Sequence, residues 1–178
     1  MSYIVCLITA CVVLAVDLIT KYLAVSTGFN FVVIPWLLKF KLSYNTGAAF
    51  SFLSGKEWAM TFFIVITSIT LLLIIGYFIF NIINKRKPSK WLLIALSLVF
   101  AGALGNFIDR ITLGKVRDFI FVFYDTNIFP AIFNVADSSL VIGVIMICVF
   151  LLFLDKDAVF KRKKPQEKVK EESDENNG

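Results

Sequence analysis

Four long apolar runs, separated by more polar segments, dominate the pattern of this chain. They cover Tyr3–Val25, Trp58–Ile83, Trp91–Ile111 and about Val135–Leu154. Because an α-helix rises about 1.5 Å per residue, each run is long enough to cross a hydrocarbon core of roughly 30 Å. The pattern therefore predicts four membrane-spanning helices.

Two of the connecting segments carry a β-type pattern. KFKLSYN (39–45) alternates polar and apolar residues, as a half-buried strand does, and DFIFVFY (118–124) is rich in aromatic and β-forming residues. We expect the two segments to pair with each other or to lie at the level of the lipid headgroups. The predicted fold is an integral membrane protein, mainly α, with four transmembrane helices and a small β-containing platform on the outer face.

The positive charge is distributed unevenly along the chain. Of 18 Lys and Arg residues, four lie in NKRKPSK, between the second and third runs, and seven lie after Leu154, where KRKK (161–164) is found. The positive-inside rule places both segments in the cytoplasm, so we expect both termini to be cytoplasmic. The predicted organisation is a membrane domain over residues 1–160, with outer loops at 26–57 and 112–134, and a charged, disordered cytoplasmic tail over 161–178.

The amino-acid composition indicates the class of protein and limits the catalytic mechanisms open to it. Hydrophobic residues make up 58% of the chain and the mean hydropathy is +0.82, values typical of integral membrane proteins. The three cysteines, at positions 6, 11 and 148, lie inside apolar runs and predict packing residues without a disulfide framework. The sequence has no histidine, which excludes Ser-His and Cys-His mechanisms and most zinc chemistry.

Carboxylates fall near one predicted membrane face. Asp17 lies about two turns from the outer end of the first run, Asp109 ends the third, Asp137 begins the fourth, and Asp118 is in an outer loop. Ionisable groups within a membrane are costly and are a functional hypothesis by default. For Asp17 we favour a structural role, because Lys21 follows at i+4 and can pair with it on one helix face.

Two Asn-x-x-Asp motifs stand at helix ends. Asn134 and Asp137 are spaced as an N-cap and its N3 residue, and a capping box would by itself explain that motif. It cannot explain Asn106 and Asp109, because they lie at a helix C-terminus, where a carboxylate opposes the helix dipole.

Small residues predict how the third and fourth helices pack. Ser97, Ala101 and Gly105 recur every four residues on the third run and lead to Asp109, while Ser139 and Gly143 form a matching stripe on the fourth. Such stripes let two membrane helices approach closely. Close packing of these helices would bring the two Asn-x-x-Asp motifs together as two walls of one site.

Two kinds of carboxylate chemistry fit such a site, and spacing alone does not decide between them. Two carboxylates that share a proton can hydrolyse a peptide bond, one as the base that activates water and the other as the acid. Alternatively, carboxylates can hold Mg²⁺ for phosphoryl transfer on a lipid headgroup. A third class, an ion or proton transporter, would place carboxylates near the midplane of the membrane.

Five ordered motifs carry a resemblance to a known family: VDLITK (16–21), YNTGAAFSFL (44–53), GALGNFIDR (102–110), VRDFI (116–120) and IFNVADSS (132–139). Together they resemble the bacterial lipoprotein signal peptidases (signal peptidases II) over about Val16 to Leu154. Members are four-span aspartyl proteases that cut prolipoproteins just before a diacylglyceryl-modified cysteine, and globomycin inhibits them. The resemblance implies a bacterial inner-membrane enzyme with its site near the outer face. It also implies prolipoprotein substrates, lipid contacts, no cofactor, no metal and no nucleic-acid partner.

The resemblance also implies the roles of individual residues. Asp118 and Asp137 become the catalytic pair, although helix packing alone makes Asp109 the better partner for Asp137. The positions implied to line or support the site are Asp17, Lys21, Asn45, Gly47, Asn106, Asp109, Arg110, Asn134 and Ala136. Two residues depart from the family pattern: Tyr44, where many members have Arg, and Arg117, where an apolar residue is common. Because a cation beside Asp118 would favour its ionised form, we expect Arg117 to point away from the site.

Overall fold

The computed structural model describes residues 2–47, 57–124 and 130–154 of the chain. Its helices are α1 (Ser2–Thr27), α2 (Glu57–Ile83), α3 (Lys90–Leu113) and α4 (Val135–Val149), which continues as a π-helical turn over Phe150–Leu154. Within these described ranges, four apolar helical segments are long enough to cross a membrane. They coincide with the four predicted spans to within about two residues at each end. The tail at 161–178 lies outside the described residues.

The third helix is the centre of the bundle. Half of its most apolar stretch is buried, whereas at most 17% of the corresponding stretch is buried in the other three helices. α3 packs most extensively against α4, next against α1, and then against α2. The outward faces of α1, α2 and α4 present exposed Val, Ile, Leu and Phe side chains, as helices that contact lipid do.

Glycines allow the close packing of α3 against α4 that the small-residue stripes predict. A Cβ on Gly102 would collide with the backbone oxygen of Ala136 and with the side chains of Ser139 and Leu140. A Cβ on Gly143 would lie 2.8 Å from the backbone oxygen of Ala95. Only hydrogen fits at these two positions, so both glycines are required for the observed separation of the helices.

A four-stranded antiparallel sheet lies beside the helix ends near the two Asn-x-x-Asp motifs. Its strands, in spatial order, are β1 (Asn30–Ile34), β2 (Leu38–Asn45), β3 (Val116–Val122) and β4 (Ala131–Phe133). β2 and β3 overlap the two predicted β segments, and they pair with each other, which is the first of the two arrangements expected from the sequence. β1 and β4 had no recognised sequence signal.

The pairing of β2 with β3 contains an irregularity that matters for the site. Phe40 pairs with Ile120 and Ser43 with Asp118, so the register shifts by one residue between these two pairs. Such a β-bulge inserts one extra residue into β2. Asp118 pairs with Ser43, and Asn45 lies two residues further along β2. Asn45 therefore points to the same face of the sheet as Asp118.

Candidate active site

Asp118 lies on β3 and is almost fully buried, with 2% of its surface exposed. Its Oδ2 accepts a hydrogen bond from Asn45 Nδ2 at 3.0 Å, and its Oδ1 accepts one from Asn134 Nδ2 at 2.7 Å. Burial, together with the nearby charge of Asp137, raises the pKa of the carboxyl to about 7, and the hydrogen bonds from Asn45 and Asn134 oppose this rise. Asp118 can therefore hold or release a proton near neutral pH.

Asp137 lies in the first turn of α4 and forms the predicted capping box with Asn134. The N–H of Asp137 donates to Asn134 Oδ1 at 2.9 Å, and the N–H of Asn134 donates to Asp137 Oδ2 at 3.1 Å. The other oxygen, Oδ1, accepts a hydrogen bond from Asn106 Nδ2 at 2.7 Å. The two Asn-x-x-Asp motifs therefore meet at Asp137.

Asn134 connects the two carboxylates. Its side-chain NH₂ donates to Asp118 while its backbone N–H and side-chain oxygen hold Asp137. The same NH₂ group also donates to Asn106 Oδ1 at 3.0 Å. Because Asn134 is fully buried, this amide has no competing water and its orientation is fixed by its partners.

A buried lysine, Lys21, fixes the orientation of the side-chain amide of Asn106. Lys21 has no exposed surface, and its Nζ donates to Asn106 Oδ1 at 2.9 Å. That oxygen therefore faces Lys21 and Asn134, which directs the NH₂ of Asn106 toward Asp137. Lys21 also pairs with Asp17 at 2.8 Å, as the i, i+4 spacing predicts, and lies 3.4 Å from Asp109.

Asp17 joins α1 to the start of α4. Its Oδ1 accepts the N–H of Ala136 at 2.9 Å, an N–H of the first helical turn that has no partner within the helix. Gly105 makes room for this carboxylate, because a Cβ there would collide with Asp17 and come within 3.3 Å of the Ala136 methyl. The small residues at 105 and 136 thus allow three helices to meet at one carboxylate.

The segment after β2 is tied to α3. The N–H of Gly47 donates to Asn45 Oδ1 at 2.8 Å, and its carbonyl accepts Arg110 Nη2 at 3.3 Å. The guanidinium of Arg110 also lies 5.0 Å from the centre of the Phe63 ring, within the range of a cation–π contact. Arg110 therefore links β2, α2 and α3 at the edge of the site.

One cavity of about 530 Å³ opens at the two carboxylates. Five of the predicted site residues line it: Asn45, Asn106, Arg110, Asp118 and Asp137. Among the residues that the structure describes, the rest of the wall is mostly apolar and comes from β3, β4 and the first turns of α4: Val116, Ala131, Ile132, Phe133, Ser138, Leu140, Val141 and Ile142. None of these eight was recognised from the sequence, although Asp137, Leu140 and Val141 have the i, i+3, i+4 spacing of one helix face.

Asp109 has a different environment from the one that helix packing predicts. It is fully buried, it does not line the cavity, and Arg117 binds it through Nη2 at 2.6 Å. The side chain of Arg117 thus engages Asp109 while the side chain of Asp118 turns to Asn45 and Asn134, which agrees with the expectation that Arg117 points away from the site. Tyr44, the other residue that departs from the family pattern, contacts a different cation: Lys115 Nζ lies 3.8 Å from the centre of its ring.

Comparisons with known proteins show the family of the chain. The family model for signal peptidase (SPase) II matches residues 9–153. This chain belongs to the signal peptidase II family. Relatives named lipoprotein signal peptidase, from Staphylococcus aureus strains bovine RF122 / ET3-1 and JH9, are each 46% identical over 164 residues. Those alignments cover 89% of this chain and 92% of each relative.

Solved structures agree with the fold of this signal peptidase II family member. A bacterial membrane enzyme determined by the in meso method superposes with a TM-score of 0.72 at 42% identity, covering 90% of this chain and 93% of the other. A second bacterial membrane enzyme structure gives a TM-score of 0.68 at 43% identity, covering 86% and 94%. The chain is therefore a multi-pass membrane protein of a peptidase family.

Proposed function

We propose that this chain is an intramembrane aspartyl endopeptidase in which Asp118 and Asp137 form the catalytic pair. The observation that carries the proposal is that both carboxylates line one cavity and are held by the same buried residue, Asn134. The pKa of about 7 at Asp118 supports it further, because a pair that hydrolyses a peptide must hold one proton between two carboxyls at working pH.

The proposed reaction uses the two carboxyls as base and acid. The ionised member takes a proton from water as the water oxygen bonds to the scissile carbonyl carbon. The protonated member donates its proton to the carbonyl oxygen, which gives a neutral tetrahedral diol. The proton taken from water then passes to the amide nitrogen as the C–N bond breaks, and one hydroxyl proton of the diol returns to the pair. Each turn leaves the pair with one proton.

The amide side chains have a defined part in this scheme. Each of the four carboxylate oxygens already accepts one N–H donor, from Asn45 and Asn134 on Asp118 and from Asn106 and Asn134 on Asp137. The shared proton and the attacking water are therefore left to the lone pairs that face the cavity. Lys21 supports this arrangement from behind, because it turns the amide of Asn106 toward Asp137.

The proposed substrates are prolipoproteins with a diacylglyceryl-modified cysteine, cut just before that cysteine. The names of the Staphylococcus aureus relatives support this substrate class. The apolar cavity wall formed by Leu140, Val141 and Ile142 suits the apolar residues that precede the cleavage site, and lipid acyl chains can reach it from the bilayer. We further propose a site near the outer face of the bacterial cytoplasmic membrane, both termini in the cytoplasm, and inhibition by globomycin.

The test is cleavage of a diacylated prolipoprotein by the purified protein in detergent micelles, with and without EDTA. Asp118→Asn and Asp137→Asn are each expected to lower kcat by about 10²–10⁴-fold, because each removes one half of the acid–base pair. Wild-type activity is expected to be unchanged by EDTA. Asp157→Asn, in the segment after α4 and outside the proposed machinery, is the matched control for exchanging an Asp for an Asn.

Three outcomes would contradict the proposal, each in a different way. Loss of activity with EDTA would favour a Mg²⁺-dependent lipid phosphotransferase. Full activity in either Asp variant would remove that residue from the catalytic pair. No cleavage by well-folded wild type, together with proton or ion flux in vesicles, would favour a transporter.

A further inference from the structure

The backbone of residue 117, immediately before Asp118, is held from both sides. Its N–H donates to Asp109 Oδ2 at 2.9 Å, and its carbonyl accepts Asn134 Nδ2 at 3.3 Å. That carbonyl belongs to the peptide group whose nitrogen is the backbone nitrogen of Asp118. Two buried side chains, from α3 and from the start of α4, therefore fix the chain where it delivers Asp118 to the cavity.

The side chain of Arg117 holds Asp109 in the orientation that this contact needs. Its Nη2 is 2.6 Å from Asp109 Oδ1, and its Nε is 3.2 Å from both oxygens. Such a forked contact fixes the plane of the carboxylate as well as its position. With Oδ1 bound at the fork, Oδ2 is aimed at the backbone N–H of the same arginine.

The position of Asp109 has no other evident use in the proposed chemistry. The carboxylate is fully buried and does not line the cavity, so it cannot reach a substrate there. A buried carboxylate is costly unless it is paired and hydrogen-bonded. Lys21, at 3.4 Å, is already engaged at shorter distance by Asp17 and Asn106.

We propose that Asp109 is a positioning residue for Asp118, acting through the backbone of residue 117, and that Arg117 orients Asp109 for this contact. The proposal rests on the proposed function, because it assumes that Asp118 is catalytic. It assigns a role to an ion pair between the buried Asp109 and the partly exposed Arg117, neither of which lines the cavity. The contact that matters is the one from Asp109 to the backbone, and the charges serve to orient it.

Two double variants separate the backbone contact from the charges. Asp109→Asn with Arg117→Met and Asp109→Leu with Arg117→Met both remove the ion pair, so neither leaves an unpaired buried carboxylate. Only the first keeps a side-chain oxygen that can accept the N–H of residue 117. Lys115→Met, which removes a neighbouring cation that contacts Tyr44, is the control for charge at this end of β3.

The measurements are kcat and KM for a diacylated prolipoprotein in detergent and the thermal unfolding midpoint in the same detergent. We expect the Leu double variant to lose about tenfold or more in kcat with KM changed less than about threefold, because a misplaced catalytic group costs turnover rather than binding. The Asn double variant, which keeps the acceptor but not the arginine that orients it, is expected to lose clearly less kcat than the Leu double variant. Lys115→Met is expected to stay within about threefold of wild type. Unfolding midpoints of the two double variants are expected to be similar.

Failure of this inference and failure of the proposed function give different outcomes. Equal kcat values in the two double variants, whether both high or both low, would overturn the positioning role of the backbone contact. A kcat loss that follows the unfolding midpoint would overturn it as well, since that is the mark of a purely structural role. If wild type fails to cleave, or if Asp118→Asn is as active as wild type, the proposed function itself is overturned.

Discussion

Asn134 and Asp137 hold each other in both directions at the start of α4: the N–H of each donates to the side-chain oxygen of the other, at 3.1 and 2.9 Å. The same two residues are also proposed to serve catalysis, since the side-chain NH₂ of Asn134 is shared among acceptors on Asp118, Asn106 and the backbone carbonyl of Arg117. A motif that stabilises a helix end therefore also fixes the geometry between two carboxylates. Its two roles can be separated by substitution.

Two substitutions at Asn134 are expected to have similar effects on catalysis but different effects on the stability of the fold. Asn134→Ser keeps an oxygen that can cap the helix but loses the NH₂ that binds Asp118, whereas Asn134→Ala loses both. We expect similar losses of kcat in the two variants, about tenfold or more, because a hydrogen bond to a charged group is worth about 1.5–3 kcal/mol. The Ser variant is expected to be more stable by about 1 kcal/mol, the usual value of an N-cap. Cleavage kinetics and thermal unfolding in detergent measure the two effects, and a Ser variant with near wild-type kcat would contradict the catalytic part.

The pKa of Asp118 predicts a pH dependence of stability. The folded-state pKa of about 7 lies above the ordinary value of 3.8, so the folded protein binds this proton more tightly than the unfolded chain. The stability that Asp118 contributes is therefore fully present below about pH 4 and is lost as the pH rises through about 7. We expect the unfolding midpoint of wild type to fall across this window and that of Asp118→Asn to fall less. Parallel curves for the two proteins would show that Asp118 has no raised pKa.

The close approach of α3 to its neighbours predicts intolerance of one added methyl group. Gly105→Ala places a Cβ against Asp17, and Gly102→Ala places one against α4, so each is expected to lower stability by about 1–3 kcal/mol. Gly105→Ala is also expected to lower activity, because it displaces the carboxylate that holds the N–H of Ala136. Gly76→Ala in α2 is the matched control, since nothing lies within 4 Å of the added Cβ. Equal unfolding midpoints for Gly76→Ala and Gly102→Ala would show that the helices can move apart without cost.

Two neighbouring isoleucines on α4 test the cavity wall. Ile142 lines the cavity and Ile145 does not, although their exposed fractions are alike at 52% and 55%. Ile142→Trp is expected to raise the KM for a diacylated prolipoprotein severalfold by occupying part of the apolar wall, while Ile145→Trp leaves KM near the wild-type value. Both variants are to be compared at equal detergent concentration, because the substrate partitions into micelles. A KM increase shared by both would point to a general effect of Trp on α4.

The helices of this protein were predictable because their signals are local. Run length sets the four spans, the i, i+4 spacing pairs Asp17 with Lys21, and the Asn-x-x-Asp spacing forms the capping box at Asn134. The packing of α3 on α4 also followed from small residues at a spacing of four. Each of these signals can be read within a single helix, from the length of its apolar run or from residues spaced three or four apart.

The parts of the site that were missed depend on long-range geometry. Asn106 and Asp109 are separated by about 60° around a helix, given about 3.6 residues per turn. That angle is enough for Asn106 to face Asp137 while Asp109 faces Arg117, and the spacing of the motif does not tell which way each turns. The strand β4 is three residues long and gave no periodic signal, yet it forms one wall of the cavity.

The extra residue in β2 decides which side chain of that strand faces Asp118. Asn45 faces it because the register shifts by one between Phe40 and Ser43. Since successive residues of a strand point to opposite faces, regular pairing continued from Phe40 at the present strand length would pair Leu42 with Asp118 and turn Asn45 away from the carboxylate it binds. The course of the backbone through the bulge, and not the identity of residues 41 and 42, therefore brings the amide to the carboxylate. In related sequences that keep the bulge, we expect these two positions to vary freely in identity.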